Sequence, residues 1–340
     1  MNKIHFINRI DMTNIGDRTC SPLNYFSAYF RQFNIRHYDI DFIDWRDVDS
    51  GDIAIVGGGG MLDVTASFNR NINRLLKTCR AVVAWSIGFN AHDKSWDNGS
   101  GFEPIDFDKF AMISIRDYQH PSGMEYLPCL SCLLPYFDEE EDAPAAPSIG
   151  IIEHKDHPIV LEDKDAFDRI TNAYPAEEVV RFIRKHTVIV TNSYHMVYWT
   201  QLLSRTAIVM DKWSTKFDYY QYRPVFLSHE DFDSKTILAT YGQEVRNAGF
   251  LKASRAMNMA FFDRVKALIE ALGIPKDHGD VTAYCLTSPN TWNQNDLRLK
   301  LLWQNEMVQK LMRENAELHR AVAKLNDNKM VKLGELLGGK

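Results

Sequence analysis

Short apolar runs alternate with amphipathic segments along most of this chain, and that alternation restricts its fold more than any other feature. The segments "KIHFINR", "IRHYDIDFI", "DIAIVG" and "AVVAWSIG" read as strands. Between them "SPLNYFSAYFRQF" and "NINRLLKTC" carry helical spacing, the first with Ser21 as its cap and Pro22 near its start. The order β-α-β-β-α-β, continued by "FAMISIRD" and "MEYLP", predicts a mostly parallel sheet with helices on its faces. At 138–147, "DEEEDAPAAP" joins an acidic run to prolines, a composition that propagates neither helix nor strand, and it is expected to link two domains. Beyond it "SIGIIEH", "TVIVTNS" and "RTAIVM" read as strands, with "AEEVVRFIRKH" and "YHMVYWTQLL" as helices. The region from Asp211 to Phe232 is aromatic and polar with weak periodicity, as a long loop would be, and "KASRAMNMAFFDRVKALIEAL" is expected to end the second domain as a long helix. The expected class is therefore α/β, with an N-terminal domain over 1–137 and an abbreviated C-terminal one over 148–275.

A chain of 340 residues that is 45% hydrophobic can bury a large core, and its length favours two domains. Its net charge of -6 argues against nucleic acid as a partner. No stretch approaches about 18 uninterrupted apolar residues, and "MNKIHFINRI" mixes Asn, His and Arg into its apolar run, so neither a signal peptide nor a membrane span is expected and the cytoplasm is the expected location. The 5 cysteines lack framework spacing and fit a reducing compartment. Cys129 and Cys132 form a C-x-x-C, but no second pair stands at a matching spacing and Leu-Leu-Pro follows. Buried packing is the expectation, and no metal site is expected.

Open α/β sheets bind ligands outside the carboxyl ends of their strands, so the polar residues at those ends are the site candidates. In the first half they are Asn14, Gly16 and Asp17, then Gly57, Gly58, Gly59 and Gly60, then 86–92, then Arg116 with Asp117. In the second half they are Thr191, Asn192, Ser193, Tyr194 and His195. The four glycines follow a strand and are expected to lead into a helix, where free amides could hold an anion. They lack both the G-x-G-x-x-G and the P-loop spacing, and a tight turn is the alternative. His195, at a strand-to-helix junction among hydroxyl and amide groups, can titrate near neutral pH or stay neutral beside the helix dipole and is a candidate functional residue, with a satisfied structural histidine as the alternative. Arg116, just past an apolar strand, needs an anion: a structural acid such as Asp117 or a charged substrate. Lys212, Lys216 and Arg223 in the aromatic loop are candidate phosphate contacts, with solvated loop surface as the alternative.

The motifs "NIGD" at 14–17, "IVGGGGMLD" at 55–63, "ISIRD" at 113–117 and "VTNSYHMVYWTQLL" at 190–203 stand in an order that resembles the polysaccharide pyruvyl transferase family over most of 4–210. The resemblance implies two Rossmann-like domains in the arrangement of GT-B glycosyltransferases. It also implies transfer of pyruvate from phosphoenolpyruvate onto two hydroxyls of a sugar, giving a ketal. The family pattern then falls on Asp17, Arg116, Tyr194 and His195. Phosphoenolpyruvate would be the donor substrate, no cofactor is required, and a sugar or lipid-linked oligosaccharide of a surface polysaccharide precursor, near a membrane surface, would be the acceptor. In that chemistry His195 suits the acid, Asp17 takes a hydroxyl proton or orients the acceptor, and Arg116 offers a planar fork to carboxylate or phosphate. Asn14, the glycine amides, Ser193, Tyr194 and Lys216 complete the expected binding set. A sugar-nucleotide-dependent glycosyltransferase on a related scaffold is the alternative.

The C-terminal segment 290–333 reads as a separate tail. Leu297, Gln304, Leu311, Leu318 and Leu325 fall at d and Leu301, Val308, Asn315 and Val322 at a, a coiled-coil seam expected to make a homo-oligomer.

Overall fold

A computed structural model describes residues 2–276 except 12, 63–64, 91–102, 140–143, 145, 162–165 and 243–245. The expected coiled coil over 297–325, part of the 138–147 segment and His92 lie outside the described residues. Met1–Cys285 forms one compact unit that contains two sheets.

In the first sheet β1 (Ile4–Asn8) lies between β2 (Ile35–Asp39) and β3 (Ile53–Gly57), and β3 continues to β5 (Ala81–Phe89) and β6 (Met112–Ile115). A short β4 (Gly60–Leu62) joins the far end of β5, and every pairing is parallel. β1 and β3 are buried throughout, which is why their sequences are continuously apolar rather than alternating. The one basic residue in β1, His5, is satisfied by Asp52 at 2.8 Å, so it belongs to the core and not to a site. α2 (Leu23–Phe30) covers one face of this sheet, while α3 (Ala66–Thr78) packs on the other through Phe68, Ile72 and Leu75.

The second sheet runs β8 (Asp168–Thr171), β7 (Ile149–Glu153), β9 (Val188–Thr191), β10 (Thr206–Met210), β11 (Val225–Leu227), again all parallel. Its helices are α4 (Ala176–Arg184), α5 (Tyr194–Leu202) and α6 (Ser234–Tyr241). β8 and β11 are absent from the sequence reading, and β11 lies inside the expected long loop. Both are short edge strands, β8 with polar residues and no apolar run, so neither announces itself.

The closing helix α7 (Phe250–Ala271) does not stay with the second sheet, where the sequence reading put it. Phe261, Phe262, Val265 and Ile269 pack in one core with Ile4, Phe6, Phe30 and Trp85 of the first. The rings of Phe26 and Phe262 stack at 3.9 Å, and Trp85 Nε1 donates to Asn258 Oδ1 at 3.1 Å. Truncating Phe262 to Ala would cost about 3–5 kcal/mol, because the cavity opens among aromatic rings that cannot collapse into it. Arg255 of the same helix ties its start to the Cys132 carbonyl at 2.9 Å.

The two sheets are joined by hydrogen bonds near their carboxyl ends. Ile15 N donates to the Asn172 carbonyl at 2.9 Å, and Tyr118 N to the Tyr219 carbonyl at 2.8 Å. Tyr198 Oη donates to the Cys129 carbonyl at 3.0 Å, and Trp199 Nε1 to Ser131 Oγ at 2.9 Å.

Candidate functional site

Both sheets reverse their order at their first strand: β1 separates β2 from β3, and β7 separates β8 from β9. Loops leaving such a strand and the one paired beyond it diverge, and the space between them is where doubly wound sheets take ligands. Here a cleft of about 310 Å³ opens between the two sets of loops. The first sheet lines it with Arg9, Asp11, Asn14, Asp17, Gly60 and Arg116. The second contributes His154–His157 after β7, Ser193–His195 after β9, and Trp213 with Lys216 after β10.

Arg116 follows the last residue of β6 and is only 3% exposed. Its guanidinium lies 3.9 Å from the Tyr194 ring centroid, and Nε and Nη1 have no hydrogen-bond partner. Two glycines make room for it. A Cβ on Gly88 would overlap Arg116 Nε, and one on Gly60 would come within 2.9 Å of Nη2. The neighbouring Asp117 does not pair with it. Asp117 Oδ2 accepts the Phe89 amide at 2.8 Å, and burial pushes the carboxyl up to about 6 against the pull of Arg116. Tyr194 is a platform: its ring stacks on Tyr220 at 4.7 Å, and burial drives its phenol well above the ordinary range, so it stays neutral under the cation.

Lys216 comes from the opposite side and is 7% exposed. Its ammonium sits 3.8 Å from the Trp213 ring centroid and has neither a hydrogen bond nor an ion pair among the described residues. Burial and then the charge of Arg116 push it down to about 7, with Asp17 opposing. The other cations of the cleft are matched. Arg9 pairs with Asp39 and Asp41, each at 3.3 Å, and Lys155 with Asp11 at 3.4 Å. Arg116 and Lys216 are thus two buried cations, one from each sheet, that face a common cleft and make no ion pair among the described residues. Such an arrangement recognises an anion from outside.

Asp17 lies in the short helix α1 (Ile15–Arg18), capped by Asn14, whose Oδ1 accepts from Gly16 N at 3.2 Å. Asn14 Nδ2 donates to Asp17 Oδ2 at 2.9 Å, and Asn172 Nδ2 of the second sheet reaches Asn14 Oδ1 at 3.2 Å. Burial raises the Asp17 carboxyl, while His195, Arg116 and Arg9 pull it back. His195, in the first turn of α5, packs its ring against Gly16, where any Cβ would overlap the imidazole. Its Nε2 is 3.2 Å from Cys20 Sγ and 3.5 Å from Cys129 Sγ, and the sulfurs are 3.6 Å apart. Nδ1 has no hydrogen-bond partner among the described residues, and the ring lines the cleft. Burial drives the Cys20 thiol well up. At Cys129 burial acts the same way but is outweighed by the Cys20 hydrogen bond and the charge of His195, which hold that thiol well below its ordinary value.

Asp17, Arg116, Ser193, Tyr194, His195, Asn14 and Lys216 therefore meet at one place, and of the four glycines Gly60 alone joins them. The glycines are not followed by a helix: β4 intervenes before α3. Gly58 donates its amide to the Trp85 carbonyl at 2.8 Å and takes φ 54°, and side chains on Gly57 and Gly58 would collide with Pro22 and Cys20. Their absence of side chains is explained by close packing of the segment 20–22, not by an anion nest. Lys212 and Arg223 lie elsewhere: Lys212 pairs with Asp218 at 2.6 Å and Arg223 lines a separate pocket. The C-x-x-C also divides. Cys132 Sγ faces Asn258 Nδ2 at 3.5 Å, as packing would have it, whereas Cys129 meets Cys20 and His195, a cluster that the expectation of no metal ligands did not foresee.

The sequence reading passed over Arg9, Asp11, His154, Lys155, Asp156, His157 and Trp213 as cleft residues. For "HKDH" the signal was present, since it follows the first strand of the second sheet, the counterpart of the loop after β1. Trp213 and the ring of His157 stack at 4.4 Å, a contact between distant segments that no local pattern encodes.

No protein-family model matches this chain, and no curated protein does. A solved structure, that of a functionally uncharacterized protein of Klebsiella pneumoniae subsp. pneumoniae NTUH-K2044, is similar to it at 14% identity with a TM-score of 0.38, covering 62% of this chain and 83% of that one. Among the described residues no helix is long and apolar enough to cross a membrane.

Proposed function

We propose that the cleft binds phosphoenolpyruvate and transfers its pyruvyl group to two hydroxyls of a sugar in a surface-polysaccharide precursor. The observation that carries this reading is the pair of buried cations, Arg116 and Lys216, which make no ion pair among the described residues and face one cleft beside His195 and Asp17. Phosphoenolpyruvate presents a carboxylate and a phosphate, one anion for each cation. The order of the four motifs supports the same reading, as does the convergence of the residues they contain.

His195 delivers a proton from Nδ1 to the methylene carbon, making the adjoining carbon electrophilic. One sugar hydroxyl adds there and gives up its proton, with Asp17 as the receiving carboxylate. The carbon–oxygen bond to phosphate then breaks, and the second hydroxyl closes the ketal as its proton passes to the departing phosphate. Arg116 and Lys216 hold the charge that grows on phosphate as it leaves. The heptads over 297–325, outside the described residues, would pair the chain with a second copy.

The second reading, a glycosyltransferase of GT-B type using a sugar nucleotide, would place a diphosphate on the same cations. Trp213, the cleft's broad ring for stacking a base, already carries the Lys216 ammonium and the His157 ring against it, and this favours the smaller donor. Thermal unfolding of the full chain with phosphoenolpyruvate beside a panel of sugar nucleotides tests the choice. The true donor raises the midpoint in a concentration-dependent way, as it stabilises the folded state by about 2.7 kcal/mol at a hundredfold excess over its Kd. Stabilisation by a sugar nucleotide and not by phosphoenolpyruvate overturns the pyruvyl reading.

A further inference from the structure

At the Nε2 edge of the His195 ring, three donor atoms converge from distant parts of the chain. Cys20 comes from the segment between α1 and α2, Cys129 from the start of a single turn over Leu130–Leu133, and His195 from α5. All three are buried. We propose that Cys20 Sγ, Cys129 Sγ and His195 Nε2 bind a borderline-soft divalent cation, with zinc the best fit to the donor set. This goes beyond the donor reading and does not depend on it.

The distances carry the argument. Zinc takes sulfur at about 2.3 Å and imidazole nitrogen at about 2.0–2.1 Å, so tetrahedral angles put two sulfurs about 3.8 Å apart and sulfur and nitrogen about 3.5 Å apart. The triangle found here has a sulfur–sulfur edge of 3.6 Å and sulfur–nitrogen edges of 3.2 and 3.5 Å. It is one face of a coordination tetrahedron to within a few tenths of an ångström. A packed pair of thiols has no need of one imidazole nitrogen within 3.5 Å of both, and a disulfide would need the sulfurs at about 2.05 Å.

The surroundings suit a thiolate ligand. Ser131 Oγ donates to Cys129 Sγ at 3.3 Å and is itself fixed by Trp199 Nε1 at 2.9 Å, an outer shell of the kind that orients metal ligands. Among the described residues no fourth His, Cys or carboxylate joins the three, so the remaining position falls to water or a small anion. Coordination through Nε2 leaves the ring proton on Nδ1, the nitrogen beside Gly16.

The test uses the full-length chain, kept reduced, stripped with a chelator and titrated with Co²⁺ in place of Zn²⁺. One equivalent is expected to bind with a thiolate-to-cobalt charge-transfer band that Zn²⁺ abolishes. X-ray absorption of the zinc-loaded protein should give two sulfurs and one imidazole in the first shell. Cys20→Ala and Cys129→Ala should each weaken binding at least about tenfold, and Cys132→Ala, in the same C-x-x-C, should leave it unchanged. Wild-type protein that takes up no cobalt, a first shell without sulfur, a Cys20–Cys129 disulfide that survives reductant, or a band that persists in both cluster variants overturns the site. The wild-type measurements decide even where a variant fails to fold. Phosphoenolpyruvate is absent from the assay, so a negative result here leaves the donor reading standing.

Discussion

The guanidinium of Arg116 lies 3.9 Å from the centre of the Tyr194 ring with two of its nitrogens unbonded among the described residues, although Asp117 is the next residue in the chain. The acid is turned toward the Phe89 amide, so adjacency in sequence gives no ion pair in space. A buried cation held in that way is a cost to the free protein that only a bound anion relieves.

Arg116→Met is therefore expected to leave thermal stability unchanged or raise it, since the variant keeps the packing and removes an unpaired charge. Binding of phosphoenolpyruvate should weaken by about ten- to a hundredfold, the equivalent of about 1.5–3 kcal/mol for a hydrogen bond to a charged group. Unfolding temperature and calorimetric affinity measured together check this. A variant that is strongly destabilised but still binds would make Arg116 a structural residue.

Lys216 gives a pH signature whose sign follows from its value of about 7. Anion binding requires the ammonium, so affinity should fall as pH rises above about 7, by at most about tenfold per pH unit. In the ligand-free chain the sign reverses. The folded state holds fewer protons than the unfolded one between about 7 and the ordinary 10.5, so stability contributed by this group rises across that window and is constant below it. Lys216→Met should flatten both slopes, as read by calorimetry and denaturant titration across the window. Slopes that survive the substitution would assign the titration to another group.

Much of this was legible in the residues and some was not, for physical reasons that differ by element. Central strands buried on both faces are continuously apolar, which made β1, β3, β9 and β10 plain. Strand ends in a parallel sheet point polar residues at a common opening, so Asp17, Arg116 and His195 could be chosen before any coordinates. The meeting of Cys20 with Cys129 could not, because it joins positions far apart through tertiary packing alone. Nor could the partner of α7: its apolar stripe shows that something covers it, and only Phe26, Phe30 and Trp85 show what. The glycine run misled for a related reason, since close approach by Pro22 and Cys20 leaves the same trace in sequence as close approach by a ligand.

The heptads over 297–325, outside the described residues, predict a dimer through the tail, with Asn315 at an a position favouring parallel pairing. Light scattering should give twice the chain mass for the full-length protein and the single-chain mass after deletion of 294–340. An oligomeric state that the deletion does not change removes the tail from the assembly.

Gly16 offers the sharpest separation of binding from chemistry. Its missing side chain is what lets the His195 ring sit in the cleft, and the overlap that a Cβ would create reaches the imidazole as far back as its own Cβ, so the ring must move as a whole. Gly16→Ala should reproduce His195→Ala. In both, phosphate release from phosphoenolpyruvate, with an acceptor that supports wild-type turnover, should fall on the order of a hundredfold, because the proton donor is removed in one case and misplaced by about 1 Å in the other. Donor affinity should stay within a few-fold of wild type in both, since Arg116 and Lys216 are untouched. Stability should part them, with Gly16→Ala losing about 1–3 kcal/mol to overpacking. Turnover at the wild-type rate in His195→Ala would make the histidine a structural group between α1 and α5. Full turnover in Gly16→Ala alone would mean that the ring can tilt without losing its reach into the cleft, and that the acid is less closely positioned than its packing against Gly16 indicates.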